Sequence, residues 1–131
     1  MLPHPVEHRA NDPYVLLVDD DVAVLEVTRA MAVALGWRPL IATSANEALA
    51  VFRAHAARIG HVAIDLHMPV RDGVSLAREV RRLRGDVHIT LMTGDEAGAR
   101  AQIGGGGAAD ALLVKPFSLE DLEAALLAHA A

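Results

Sequence analysis

From residue 14 onward, short apolar runs alternate with longer segments in which apolar positions recur every three or four residues. Continuous apolar runs suit strands covered on both faces, and the periodic segments suit crossover helices, so the pattern predicts a parallel α/β sheet. Five strands are predicted: Tyr14 to Val18, Arg38 to Ala42, Val62 to Ile64, Val87 to Met92 and Ala111 to Val114. Val22, Leu25, Val27, Ala30, Met31 and Ala34 recur near helical spacing, and Gly36 supplies the stop expected past a helix end. Ser44 with Glu47 forms a capping box for a second helix, which buries Ala48, Leu49 and Phe52. A third helix from about Val74 buries Val74, Leu76, Ala77, Val80 and Leu83 and ends near Gly85. The last opens at Ser118, with Asp121 at the capping-box position, and buries Leu119, Leu122, Ala125 and Leu126. The fourth, Glu96 to Ile103, runs into the glycines from Gly104 to Gly107 and is predicted to be short and frayed, since each helical glycine costs ~1 kcal/mol relative to alanine.

The length of 131 residues fits one domain, assigned to residues 14–131 behind a flexible lead-in at residues 1–13. A hydrophobic content of 53% is enough for an independent core, and with 3% aromatics that core is built from small aliphatic side chains. Twelve basic against seventeen acidic residues argue against a nucleic-acid footprint, and the run from Arg78 to Arg84 is too short to reverse this. Without cysteine there is no disulfide, thiolate metal site or thiol nucleophile. No apolar stretch approaches membrane-spanning length and the N-terminus lacks the pattern of a secretory signal, so a cytoplasmic protein without membrane or nucleic-acid partners is expected. Eleven of the twelve basic residues are arginine, which singles out Lys115, the one lysine.

In such sheets ligands sit outside the carboxyl ends of the strands. The first strand exits into Asp19, Asp20 and Asp21, the third into Asp65, the fourth into Thr93 and the fifth into Lys115 and Pro116. An acidic residue ahead of a helix is an ordinary cap, which accounts for Asp20 or Asp21 but not for three carboxylates together. His55, His61, His88 and His129 lack metal-ligand spacing and read as surface or strand-packing residues.

The segments VLLVDDD, IDLHMPVRDG, LMTGD and LLVKPF resemble, in order and spacing, the receiver domain of two-component response regulators over nearly the whole chain from Tyr14. The resemblance implies a doubly wound, flavodoxin-like sheet of order 2-1-3-4-5 with helices on both faces. It implies a signalling phosphoacceptor in a phosphorelay rather than an enzyme. Asp65 would take a phosphoryl group from a histidine kinase or histidine phosphotransfer protein, with Mg2+ held by Asp65, Asp20, Asp19 through water, and the His67 carbonyl. Neighbouring strands one and three, ~4.8 Å apart, would let Asp20 and Asp65 reach one cation with ligand distances of ~2.1 Å. Thr93 would bond a phosphoryl oxygen, and Lys115 would reach across from strand five, taken to lie beyond strand one at ~10 Å from Asp65. The Lys115 to Pro116 bond is cis in typical members. Gly94 leaves the approach to Asp65 open, while His67 and Asp95 flank it at positions that tune phosphate lifetime and are expected to lie near each other.

Leu112 stands where members often carry an aromatic that moves with the threonine, so the switch is reduced to Thr93 and the fourth helix, or the domain acts chiefly as a relay. Expected docking surfaces are the first helix for the phosphodonor and the face of helix four, strand five and helix five for a target, with a monomer or weak dimer. Two alternatives remain open at this point. One is a receiver excised from a hybrid sensor histidine kinase; the other is a haloacid-dehalogenase-type phosphatase using Asp19 and Asp21, for which the chain is too compact.

Overall fold

The computed structural model describes residues 13–104 and 107–127. The lead-in up to residue 12 and His129 lie outside the described residues. The elements are β1 (Tyr14–Val18), α1 (Val22–Ala34), β2 (Arg38–Ala42), α2 (Ala45–His55), a 3-10 turn (Ala56–Arg58), β3 (Ile59–Asp65), α3 (Gly73–Leu83), β4 (His88–Thr93), α4 (Glu96–Ile103), β5 (Ala111–Val114) and α5 (Leu119–Leu127). The five strands form one parallel sheet in the order β2-β1-β3-β4-β5, as expected. β5 pairs with β4, so it lies on the β4 side of the sheet and not beyond β1.

Alternation along each strand feeds two cores. Leu16 and Val18 of β1 face the core shared with α2 and α3, while Val15 and Leu17 face the one shared with α1 and α5. The α5 capping box forms as read, Ser118 and Asp121 exchanging two bonds of 3.0 Å; at α2, Ser44 Oγ accepts from Glu47 N at 3.1 Å, but the Glu47 carboxylate accepts from Thr43 N at 3.1 Å, one residue before the cap. α4 buries a single residue, Ala99, and is closed by Gly104 at φ 63°.

Three further details differ from the sequence reading. β3 has seven residues where three were predicted. Its extra N-terminal stretch is hidden in sequence by Gly60, the residue left over where the β1 register shifts, and by His61. His61 is buried because Nε2 lies 2.9 Å from Thr90 Oγ1 and its ring packs edge-on against His88 at 4.2 Å. In α1 the buried residues are Leu25, Thr28 and Ala32, whereas Val22 and Val27 are exposed. Thr28 can be buried because its hydroxyl bonds the Val24 carbonyl at 2.9 Å. Leu83 and Leu119, both expected inside, are the last residue of α3 and the first of α5 and are exposed.

One polar clasp ties α3 to the start of β5. Arg81 donates to the carbonyls of Gly85 (3.1 Å) and Val87 (2.6 Å) and to Asp110 Oδ2 (2.7 Å), which also accepts from Ile89 N at 2.9 Å. Burial raises the Asp110 pKa, but the Arg81 and Ile89 hydrogen bonds and the charges of Arg81 and His88 outweigh it and hold it below the usual carboxylate range. A depressed folded-state pKa contributes stability above the ordinary value, which is lost as pH falls through the folded one. Asp110→Asn should therefore cost only about 1 kcal/mol at neutral pH, because both partners are partly exposed and screened by solvent. Chemical denaturation at several pH values should show this difference shrinking below the carboxylate range.

Candidate functional site

The site forms at the carboxyl edge of β1, β3, β4 and β5. Asp19 and Asp20 follow β1 and Asp65 ends β3, and a carboxylate oxygen from each lies within 4.8 Å of the others. Asp19 is almost completely buried: Oδ1 accepts from Asp21 N at 2.9 Å, and Oδ2 from Lys115 Nζ at 2.8 Å. Lys115 Nζ also stands 3.5 Å from Asp65 Oδ1, so a single cation bridges two of the three carboxylates. Its backbone N–H donates to Thr93 O at 2.6 Å, and the following bond to Pro116 is cis, as expected.

The electrostatics follow from crowding. Burial and the Asp19 charge raise the Asp65 pKa above its ordinary value, outweighing Lys115 and the weak His67 N–H contact at 3.4 Å. Burial works against the charge on Lys115, yet its bond to Asp19 and the charges of Asp65 and Asp19 raise its pKa, keeping it an ammonium. The pocket is thus an anionic cup with excess negative charge and one fixed cation. An all-oxygen donor set of this kind suits a hard divalent cation such as Mg2+.

The other predicted residues surround this cup with distinct local roles. Thr93 is fully buried, and its hydroxyl donates to Asp95 O at 3.2 Å and accepts from Asp95 N at 3.0 Å. A Cβ on Gly94 would meet nothing within 4 Å, so that approach is open. Asp95 caps α4, its Oδ1 accepting from Gly98 N at 3.1 Å, and His67 is exposed at the start of the β3–α3 loop. Leu112 pairs with Leu91 across β4 and packs partly buried against the α2/α3 core. Asp21, the second aspartate of the phosphatase alternative, is spent on capping α1, with Oδ1 accepting from Ala23 N and Val24 N at 3.0 and 3.2 Å.

Two features escaped the sequence reading. Gly73 opens α3 directly against the end of β3, where a Cβ would lie 2.5 Å from the Asp65 carbonyl oxygen. The signal was present as the Asp-Gly that closes IDLHMPVRDG, but only the contact explains it. Next to Lys115, a cleft of about 450 Å³ runs along α1 and is lined by Val24, Val27, Met31, Pro116 and Phe117.

Residues 15–127 match the response regulator receiver domain family, and the chain belongs to it. It is 34% identical over 114 residues to the transcriptional regulatory protein AruR of Pseudomonas aeruginosa, covering 84% of this chain and 46% of that protein. It is 33% identical over 114 residues to the response regulator MprA of Mycolicibacterium vanbaalenii, covering 87% and 48% respectively. The chain thus spans about half the length of these curated relatives. Among solved structures, the chemotaxis protein CheY4 of Vibrio cholerae superposes with a TM-score of 0.81 at 28% identity, covering 89% of this chain and 98% of that one. The response regulator protein TrrA of Thermotoga maritima, in complex with Mg(2+)-BeF, gives 0.79 at 26%, covering 89% and 98%. This is a signalling module, and among the described residues no helix is long and apolar enough to cross a membrane.

Proposed function

We propose that Asp65 is the phosphoacceptor of a two-component phosphorelay, taking its phosphoryl group from a phosphohistidine on a kinase or phosphotransfer protein. The observation that carries this reading is the convergence of Asp19, Asp20 and Asp65 within 4.8 Å, with Lys115 Nζ placed 3.5 Å from Asp65 Oδ1. Mg2+ would be held by Asp65, Asp20, the His67 carbonyl and, through water, Asp19; the Mg(2+)-BeF complex of the similar TrrA supports that assignment. When bound, the cation supplies charge neutralisation for the three carboxylates and the incoming phosphoryl oxygens.

The chain's own groups then do the positioning. An Asp65 carboxylate oxygen forms the O–P bond as the donor's N–P bond breaks, and the electron pair returns to the imidazole, which takes up a proton. Lys115 stabilises the phosphoryl charge from one side. Thr93 exchanges its bonds to the Asp95 backbone for one to a phosphoryl oxygen, a local move at the mouth of the short α4. Gly94 keeps the line of attack clear, and His67 and Asp95 gate water on the rim. Leu112, already packed, takes little part in the switch. The apolar cleft along α1 supports this helix as the surface on which the phosphodonor docks, since it opens beside Lys115.

Intact-protein mass spectrometry after incubation with acetyl phosphate tests the reading. One phosphoryl group should be gained with Mg2+ and none with chelator, and peptide mapping should place it on Asp65. Phosphate on Asp19 instead would sink the assignment. The same samples followed over time in His67→Ala and Asp95→Ala should lose phosphate at rates different from the parent, and identical rates would remove both from the gate.

A further inference from the structure

The arginines of α3 take no part in the acidic cup, and they fall into two groups. Arg71, just ahead of the helix, pairs with Glu79 at 3.1 Å, Arg81 with Asp110 at 2.7 Å, and Arg84, just past it, with Asp86 at 2.9 Å. Arg78 and Arg82 are exposed and, among the described residues, make no hydrogen bond or ion pair. They stand four residues apart, so the two guanidiniums leave the same face of α3 one turn from each other. Like charges at that spacing repel. The helix dipole offsets part of this for Arg82 in the last turn and little for Arg78 a turn earlier.

The pair faces a concave surface. A cleft of about 250 Å³ is lined by Arg78, Arg82, Ser75 and Asp72 of α3 and its cap, and by Gln102 in the last turn of α4. Asp72 Oδ1 accepts from Ser75 N at 2.8 Å, while its Oδ2 has no hydrogen bond among the described residues. The Gln102 amide is exposed and likewise makes none among them. Six residues separate Asp72 from Arg78, which is ~9 Å along the helix axis at ~1.5 Å per residue. The cleft therefore has a doubly cationic end and, ~9 Å away, an end with an open carboxylate oxygen and a neutral amide.

That arrangement selects a ligand class. Two neighbouring guanidiniums present planar forks of N–H donors, the geometry that matches phosphate oxygens. The free Asp72 oxygen disfavours a bare anion and favours a ligand that brings a hydrogen-bond donor alongside its phosphate. A sugar phosphate does this, with the phosphate on the arginines and sugar hydroxyls donating to Asp72 and bonding Gln102. At ~30 Å³ per water the cleft has room for roughly eight waters, enough for a phosphate and one pentose, with a nucleotide's base left outside.

We propose that the groove between α3 and α4 is a binding site for a sugar phosphate, free or as the ribose-phosphate end of a nucleotide, held by Arg78 and Arg82 at the phosphate and by Asp72 and Gln102 at the sugar. The site lies on different elements from the acidic cup and does not depend on Asp65 being the phosphoacceptor.

The test is isothermal titration of the full chain in metal-free buffer with ribose 5-phosphate, adenosine 5′-monophosphate and inorganic phosphate. It is accompanied by side-chain NMR of the Gln102 amide. Ribose 5-phosphate should bind one to one and shift the Gln102 signals, with inorganic phosphate weaker by about fivefold. Arg78→Ala and Arg82→Ala should each weaken ribose 5-phosphate about tenfold or more, as expected for a lost charge-assisted contact. Arg53→Ala, which removes an exposed arginine from α2, should bind as the parent does. Because all three arginines are exposed, the variants should keep the parent's thermal midpoint. A nucleotide that binds as tightly as ribose 5-phosphate would identify the ribose-phosphate end as the recognised part, and one that binds more weakly would assign the site to free sugar phosphates. Absence of binding at millimolar ribose 5-phosphate would overturn the proposal. So would an equal loss in Arg53→Ala, unchanged affinity in Arg78→Ala and Arg82→Ala, inorganic phosphate binding as tightly as the sugar phosphate, or Gln102 signals that do not move.

Discussion

Asp65→Asn protein is expected to take up no phosphoryl group under conditions that phosphorylate the parent fully, and at the same time to melt a few degrees higher in the presence of chelator. The first half follows from replacing the nucleophile: an amide is a poor nucleophile, and Asp19 and Asp20 do not occupy the position facing Lys115 from the end of β3. The second follows from the crowding of the cup. Burial and Asp19 raise the Asp65 pKa, so the folded state binds its proton more tightly than the unfolded chain does. With that sign, the group's contribution to stability is greatest at low pH and declines as pH rises through the ordinary carboxylate value to the raised one. Above both values the ionised carboxylate is a standing cost, which asparagine removes. Mass spectrometry and thermal melts at neutral pH read both halves. A variant that lost phosphorylation and also melted lower would show that the bonds from Lys115 and His67 outweigh the repulsion, contrary to this account.

The coexistence of those two effects shows why the site stood out in sequence more clearly than the fold around it. Three successive aspartates after an apolar strand, with a fourth after another, conflict with burial, and such local conflicts mark functional positions. The strand exits were legible because Leu16 to Val18, Val62 to Ile64 and Leu113 to Val114 are uninterrupted apolar residues ending in a polar one. The capping boxes of α2 and α5 were legible because both partners lie within four residues of each other.

What was not legible depended on partners distant in sequence. His61 reads as polar until Thr90 and His88, on another strand, supply its hydrogen bond and ring contact. Val27 reads as core until Thr28 satisfies its own hydroxyl on Val24 and takes the inward position. Leu83 and Leu119 have the right period but stand at helix ends, where they are exposed. At the site, Lys115 was singled out by composition, but its bond to Asp19 rather than only to Asp65 needed the third dimension. The positive φ of Val70, 71°, carries no sequence signal, since β-branched residues are outliers there.

Gly73→Ala is expected to be highly damaging, although it adds only one methyl group, because it adds it at a buried position in the first turn of α3. The added carbon would lie 2.5 Å from the Asp65 carbonyl oxygen, 2.8 Å from Leu66 Cα and 3.1 Å from the Asp65 carbonyl carbon. All three neighbours are backbone, so no side chain can turn aside. Either α3 lifts or the end of β3 shifts, and each breaks the bond from Gly73 N to Leu66 O at 2.9 Å, which closes the loop. Lifting α3 also loosens Val74, Leu76, Ala77 and Val80, all buried on its inner face. We expect a loss of about 2–4 kcal/mol, or roughly 10 °C in thermal midpoint for a domain of this size. Because the displaced atoms belong to Asp65 and Leu66, the surviving folded protein should also take phosphate from acetyl phosphate more slowly, by up to ~100-fold, since a displacement of about 1 Å at a reacting group has that effect. Gly85→Ala is the matched control: its added carbon would meet only Arg81 O, at 4.0 Å, and it should leave both the midpoint and the rate unchanged. A Gly73→Ala protein with the parent's midpoint and rate would mean that α3 can ride outward freely, and that the close seat of its first turn on β3 is not what holds Asp65 in the cup.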